Sequence, residues 1–168
     1  MLKLNIGCGR NILPRAEGWI NLDIYPLPGV DIQHDIQNPF PFPDNHFDYI
    51  QAIHTIEHVS FEKKVSVIEE IWRIAKPGAQ VHIEVPNAYS AWAWCDPTHK
   101  SAWAAGNMFY FSENEGNFEY YSRACFHIIQ EKICGEGTPP RDLIWDMEVI
   151  KPPDPRYTRH ERGKFWQK

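Results

Sequence analysis

Short apolar runs recur along the chain, each closed by glycine, proline or a polar residue. Lys3-Leu4-Asn5-Ile6 runs into Gly7-Cys8-Gly9, which predicts a strand feeding a glycine turn. Trp19 to Ile24 alternates with period two and is rich in β-formers, so it predicts a second strand ending near Asp23. Val30 to His34 predicts a short third strand with Asp35 at its end. Pro39, Pro41 and Pro43 then forbid helix and central strand alike. Phe47 to Ile53 predicts a fourth strand. Ser60 is a good N-cap for a helix through about Ala75, with Val65, Ile68, Trp72 and Ala75 on one face and Lys76-Pro77-Gly78 as its stop. A fifth strand covers Gln80 to Val85, and Phe126 to Ile133 and Asp146 to Ile150 predict two more.

Strands separated by helices and loops imply an α/β fold: a mostly parallel sheet with both faces covered and ligands at the carboxyl ends of its strands. The candidate functional positions are therefore Gly7 to Gly9, Asp23, Asp35, His54 and the stretch from Asn87 onward. Glycines after the first strand let a ligand approach backbone where no Cβ intrudes. An acidic residue ending the next strand can accept hydrogen bonds from both hydroxyls of a ribose. Asp35, ending the third strand, is suited to accept from an exocyclic adenine amine.

These features resemble a known family. LNIGCG, INLDI, HDI, FDYIQAIHTIEHV and AKPGAQVHIEVPN occur in the order and approximate spacing of class I S-adenosylmethionine-dependent methyltransferases, particularly the small type 11 domain. The resemblance covers residues 2 to about 99. It implies a Rossmann-like, doubly wound sheet of about seven strands with an antiparallel last strand, assigned to Asp146 to Ile150. The cofactor it implies is S-adenosyl-L-methionine, with S-adenosyl-L-homocysteine as product. By the same resemblance Gly7, Cys8 and Gly9 lie against the cofactor's amino-acid moiety and Asp23 binds the ribose, with Ile24 on the adenine. Asp35 and Ile36 flank the adenine edge, and His54 lies beside the cofactor. The chain departs from the family pattern at Asn5, where an acidic residue is usual, and lacks a third glycine. Only 13 residues separate Gly9 from Asp23, Pro14 among them, so there is little room for a first crossover helix.

His54-Thr55-Ile56-Glu57-His58 also fits the H-x-x-E-H pattern of a zinc peptidase family. That chemistry needs all five residues in one helix so that both imidazoles face the metal. Here His54 follows a strand and the helix starts only after Ser60, and the resembled family carries this pattern without metal. No metal is therefore expected, and Glu57 and His58 are expected to tie the loop to the helix that follows.

Methyl transfer from a sulfonium needs alignment above all, and a base if the acceptor is a hydroxyl or acidic N–H. Candidate catalytic residues are His99, with Asp96 as its orienter, and His54. Residues 89–121 are dense in aromatic rings, including Tyr89, Trp92, Trp94, Trp103, Phe118 and Tyr120. That concentration fits an apolar or planar acceptor pocket, or a packed core.

At 168 residues, one domain with a single core is expected: residues 1–150, followed by a basic arm at 151–168. The arm holds six Lys and Arg against two acids, so it carries +4 of the formal −5, and residues 1–150 carry −9. An acidic body argues against a broad nucleic-acid surface. No run of about 18 apolar residues is present, and the start of the chain has no signal-peptide pattern, so a cytoplasmic protein is expected. Cys8, Cys95, Cys125 and Cys134 lack C-x-x-C spacing, as reduced thiols do. The expected function is methyl transfer to a small or medium-sized acceptor. Its rivals are a nucleotide- or partner-binding module of the same fold that has lost turnover, an NAD-dependent oxidoreductase and a zinc hydrolase.

Overall fold

The computed structural model describes residues 1–113 and 121–157. Seven strands form one sheet: β1 (Lys3–Ile6), β2 (Trp19–Asp23), β3 (Ile32–Gln33), β4 (Phe47–Ile53), β5 (Ala75–Pro86), β6 (Phe126–Cys134) and β7 (Asp142–Val149). Their order is β3-β2-β1-β4-β5-β7-β6. All the pairs from β3 to β5 are parallel. β7 runs antiparallel between β5 and β6. The order reverses between β1 and β4, so the tips of β1, β2 and β4 open around one crevice, where this fold class binds ligands.

Alternation decides which face of the sheet is core. Leu4, Ile6, Leu22, Ile50, Ala52, Val81, Ile83, Val85, Leu143, Trp145, Met147 and Val149 are all buried. Helix α1 (Lys64–Ile74) lays Val67, Ile68, Ile71, Trp72 and Ile74 into the same cluster, at the spacing of one helical face. On the opposite face Tyr49, Gln51, His82, Glu84, Ile144 and Asp146 are only half-buried. Among the described residues the cover by a long helix is thus one-sided, although Asn5 and Asn21 on the second face are buried. The physical reason is the short link from β1 to β2, which holds a 3₁₀ turn (Arg15–Glu17) in place of a helix. That link is fastened by two buried asparagines. Asn21 exchanges hydrogen bonds with the Leu13 backbone at 2.9 Å in each direction. Asn5 donates to the Asn11 carbonyl and to Asn21 Oδ1, and accepts from Gln51.

Other boundaries differ from expectation. The third strand shrinks to Ile32–Gln33. The helix begins at Lys64 after a 3₁₀ turn (Phe61–Lys63), and the Ser60 side chain makes no capping bond; its backbone N–H goes to Gln37 Oε1 instead. Lys76-Pro77-Gly78 falls inside β5, because the helix has already ended at Ile74. The ammonium of Lys151 caps that end by donating to the carbonyls of Arg73 and Ala75 and to Asn45 Oδ1. Arg73 fixes the proline-rich loop through the Phe40 and Phe42 carbonyls and Asp44. β7 starts at Asp142, four residues before the expected Asp146, and this brings a buried carboxylate to the strand tips. Of the basic arm, only residues 151–157 are described; the division at residue 150 stays an expectation.

Candidate functional site

Three strand tips and the loops after them enclose a cavity of about 600 Å³ whose lining includes Gly7, Asp23, Ile24, Asp35, Ile36, His54 and Thr55. Gly7 must be glycine on two counts. Its φ is +64°, and a Cβ there would stand 2.2 Å from Thr55 Oγ1. Asp23, at the end of β2, is nearly buried. Its Oδ2 accepts from Gly9 N–H at 2.7 Å and its Oδ1 from Tyr25 N–H at 2.9 Å, which locks the glycine turn onto β2. A carboxylate has lone pairs beyond these two bonds. Asp35 uses Oδ1 to hold Gln37. Ile24 is half exposed beside Asp23, so it offers an apolar surface for a planar ring.

Cys8 and Gly9 behave differently from the rest of the expected cofactor set, since neither lines the cavity. The Cys8 thiol is buried, and burial, with help from Asp23, pushes it up to about 11, so it stays protonated. Gly9 acts through its N–H on Asp23.

A second cavity, about 780 Å³, adjoins the first. Its lining includes His54, Glu57, His58, Trp92, Asp96, Pro97, His99, Arg141 and Asp142. His54, His58 and Pro97 belong to both linings, so they form the boundary between the two spaces. All three candidate catalytic residues therefore meet in one place. His54 is reached by an abrupt turn after β4 with φ of +49°, unusual for a residue with a side chain. Its ring stands 3.7 Å from Glu57, 3.4 Å from Glu84 and 3.9 Å from Asp142. Chiefly through Glu57, and with Glu84 and Asp142 adding to it against burial, the imidazole is held above its ordinary range. Asp96 accepts both the backbone N–H and the hydroxyl of Thr98, which hold its carboxyl below the usual range.

The two imidazoles of the pentapeptide do not share a helix: His54 follows β4, and Ile56–His58 is a separate 3₁₀ turn. Nor do Glu57 and His58 tie the loop to the next helix. The Glu57 carbonyl accepts from the N–H groups of Lys100 and Ser101, and His58 bonds to Thr98. The expected aromatic pocket divides. Trp103 and Phe111 are core, Trp92 lines the second cavity with the Arg141 guanidinium 5.6 Å from its ring, and Tyr89 and Trp94 are exposed. Phe118 and Tyr120 lie outside the described residues. Sequence reasoning missed Thr55, Glu84, Arg141 and Asp142. Their signal was weak, because Glu84 and Asp142 meet His54 only through the pairing of β5 with β7.

With the geometry in place, comparison with known proteins shows what the chain is similar to. A profile of the methyltransferase domain family matches residues 20–83. An S-adenosylmethionine-dependent methyltransferase from Archaeoglobus fulgidus is similar in structure, with a TM-score of 0.61 and 20% identity over 87% of this chain and 85% of that one. Another from Mesorhizobium loti has a TM-score of 0.62 and 14% identity over 88% of this chain and 90% of its own. The [4+2]-cyclase SpnF has a TM-score of 0.61 and 15% identity over 88% and 74% of the two chains. No curated protein is significantly similar in sequence. The chain thus has the α/β fold of class I methyltransferases, and the resemblance read from its sequence stands. The matched family implies S-adenosylmethionine as cofactor, and the first cavity suits it, with the Gly7 backbone and two aspartates along its wall. Among the described residues no helix is long and apolar enough to cross a membrane.

Proposed function

We propose that the protein is an S-adenosylmethionine-dependent methyltransferase acting on a small or medium-sized acceptor. The observation that carries this reading is the shared wall of the two cavities: the space lined by Gly7, Asp23 and Asp35 and a second, larger space meet at His54, His58 and Pro97. When bound, S-adenosylmethionine supplies an electrophilic methyl group and its own leaving group. The protein's task is alignment. Asp23 takes the ribose hydroxyls while it holds the glycine turn, Gly7 presents its backbone to the cofactor's amino-acid end, and Asp35 and Ile36 border the adenine with Ile24 on its face. Holding both reactants in register contributes up to about 7–11 kcal/mol in favourable cases.

The acceptor occupies the second cavity, with its planar or apolar part on Trp92. His54 is the catalytic candidate common to both spaces, so it receives the proton of a hydroxyl acceptor. Asp96 and His99 line the second cavity beside His58, where Asp96 orients Thr98 and, through it, His58.

Calorimetric titration with S-adenosylmethionine and S-adenosylhomocysteine tests the reading. Binding of both, lost in Asp23→Ala, is expected; no binding of either by the folded protein removes the enzyme claim. A second reading, a binding module without turnover, is favoured by the helix-free first crossover and by Asn5, whose side chain is wholly engaged with neighbouring chain. It predicts nucleoside binding with no methyl transfer to any acceptor.

A further inference from the structure

Glu57, His58 and His99 converge on the wall of the second cavity. One donor atom from each lies within 4.8 Å of the other two. Local bonding prepares both rings as ligands. His58 Nδ1 is 3.2 Å from the Thr98 carbonyl oxygen and 3.1 Å from the Thr98 hydroxyl, whose own proton goes to Asp96 at 2.6 Å. Both neighbours are therefore acceptors, which assigns the proton to Nδ1 and leaves Nε2 with a lone pair. His99 repeats the arrangement, with Nδ1 3.1 Å from the Ala93 carbonyl oxygen and Nε2 3.8 Å from Glu57 Oε1. An imidazole held by a backbone carbonyl at one nitrogen and free at the other is the usual state of a metal-ligating histidine.

Glu57 supplies a separate observation. Its side chain is only 3% exposed, yet Oε2 has no hydrogen-bond partner. A buried carboxylate oxygen left bare is costly, and such atoms call for a compensating group. The nearest imidazole nitrogens, on His54 and His99, stand 3.7 and 3.8 Å from Oε1, beyond hydrogen-bond reach.

We infer that the chain binds one zinc-like divalent cation through Glu57, His58 and His99. Two imidazoles and one carboxylate form a three-ligand set of the kind that holds zinc with one coordination position open. Imidazole favours the borderline first-row ions over magnesium or calcium. The open position lies on the acceptor cavity, where an oxygen or nitrogen donor of the acceptor completes the shell. The site goes beyond the methyl-transfer reading and stands without it. A second triad, His54, Glu84 and Asp142, also gathers within 4.8 Å, with Asp142 Oδ1 bare. It offers one imidazole, and among the described residues no carbonyl fixes that ring's tautomer, so it is the weaker claimant.

The probe is Zn²⁺, titrated into metal-stripped full-length protein against a chromophoric chelator, with Co²⁺ absorption as a second readout. One ion per chain is expected, with a visible Co²⁺ spectrum lacking thiolate bands. Glu57→Gln, His58→Gln and His99→Gln should each weaken binding by at least about 100-fold, since even outer partners of ligands matter by roughly 10–100-fold. Glu84→Gln, Asp142→Asn and Cys95→Ser should leave affinity within about threefold, Cys95 being the thiol on the same cavity wall. Asp23→Ala should also keep its zinc while losing nucleoside binding, which separates failure of this site from failure of the cofactor site. Circular dichroism establishes that each variant is folded, and if one ligand variant is not, the other two decide. Absence of stoichiometric Zn²⁺ binding overturns the inference, as does loss of binding on replacing Cys95, Glu84 or Asp142 while the three named ligands prove dispensable.

Discussion

Replacing Gly7 by alanine tests the cofactor cradle at the point where the chain is most constrained. The new Cβ would stand 2.2 Å from Thr55 Oγ1 and 2.3 Å from Thr55 Cγ2, and the residue would keep a φ of +64°. The left-handed backbone costs about 1–2 kcal/mol for a residue with a side chain. Thr55 cannot move away freely, because its hydroxyl is hydrogen-bonded to the carbonyls of Ile6 and Ile53. Overpacking of this kind costs about 1–3 kcal/mol, so the sum is about 2–5 kcal/mol. At this chain length that lowers Tm by roughly 10 °C, and displacement of the turn should also weaken S-adenosylhomocysteine binding. The assay is thermal unfolding of Gly7→Ala in two backgrounds, native and Thr55→Gly, with Gly9→Ala as control. Gly9 has φ of +51° but nothing within 4 Å of its Cβ position, so alanine there should cost only the backbone penalty. In the Thr55→Gly background Gly7→Ala should likewise cost about 1–2 kcal/mol. Equal losses for Gly7→Ala in both backgrounds, or a Gly9→Ala loss as large as that of Gly7→Ala, would refute the steric argument.

Three further outcomes are expected. Lys151→Met removes from a buried site the hydrogen bonds to the Arg73 and Ala75 carbonyls at the end of α1 and to Asn45 Oδ1, and should destabilise the protein by about 2–4 kcal/mol in urea unfolding. The same pair reports on pH: burial pushes the Lys151 ammonium down to about 8, so between about 8 and the ordinary lysine value of 10.5 the unfolded chain holds a proton that the folded chain has lost. Stability of the native protein should therefore rise with pH across that window relative to Lys151→Met, and parallel pH curves for the two would contradict the assignment. His54→Ala should lower turnover on a hydroxyl acceptor by about 100-fold or more while S-adenosylhomocysteine affinity changes by only a few-fold, measured by steady-state kinetics and calorimetry; unaltered turnover removes His54 from the catalytic set.

Much of the first cavity was legible because it depends on strand tips, and tips follow from local alternation. Gly7, Asp23, Asp35 and His54 sit where the period-two runs end, so naming the strands also named residues that line the first cavity. Pro14 and the short span before Asp23 likewise announced a crossover without a helix. The second cavity was less legible, since it depends on pairing across the sheet. Glu84 and Asp142 are 58 residues apart in the sequence, and nothing local says that β7 lies antiparallel beside β5. The left-handed turn at His54 has no glycine to mark it. Ser60 looked like a helix cap by composition, but the side chain of Gln37, 23 residues away, bonds its backbone in a contact that no local rule foresees.

A crystal structure with S-adenosylhomocysteine bound tests the central claim most directly. The account predicts the ribose on Asp23, the adenine bordered by Ile24, Asp35 and Ile36, and the sulfur facing the wall shared by His54 and His58. A nucleoside bound elsewhere, or one whose sulfur points away from that wall, would contradict it.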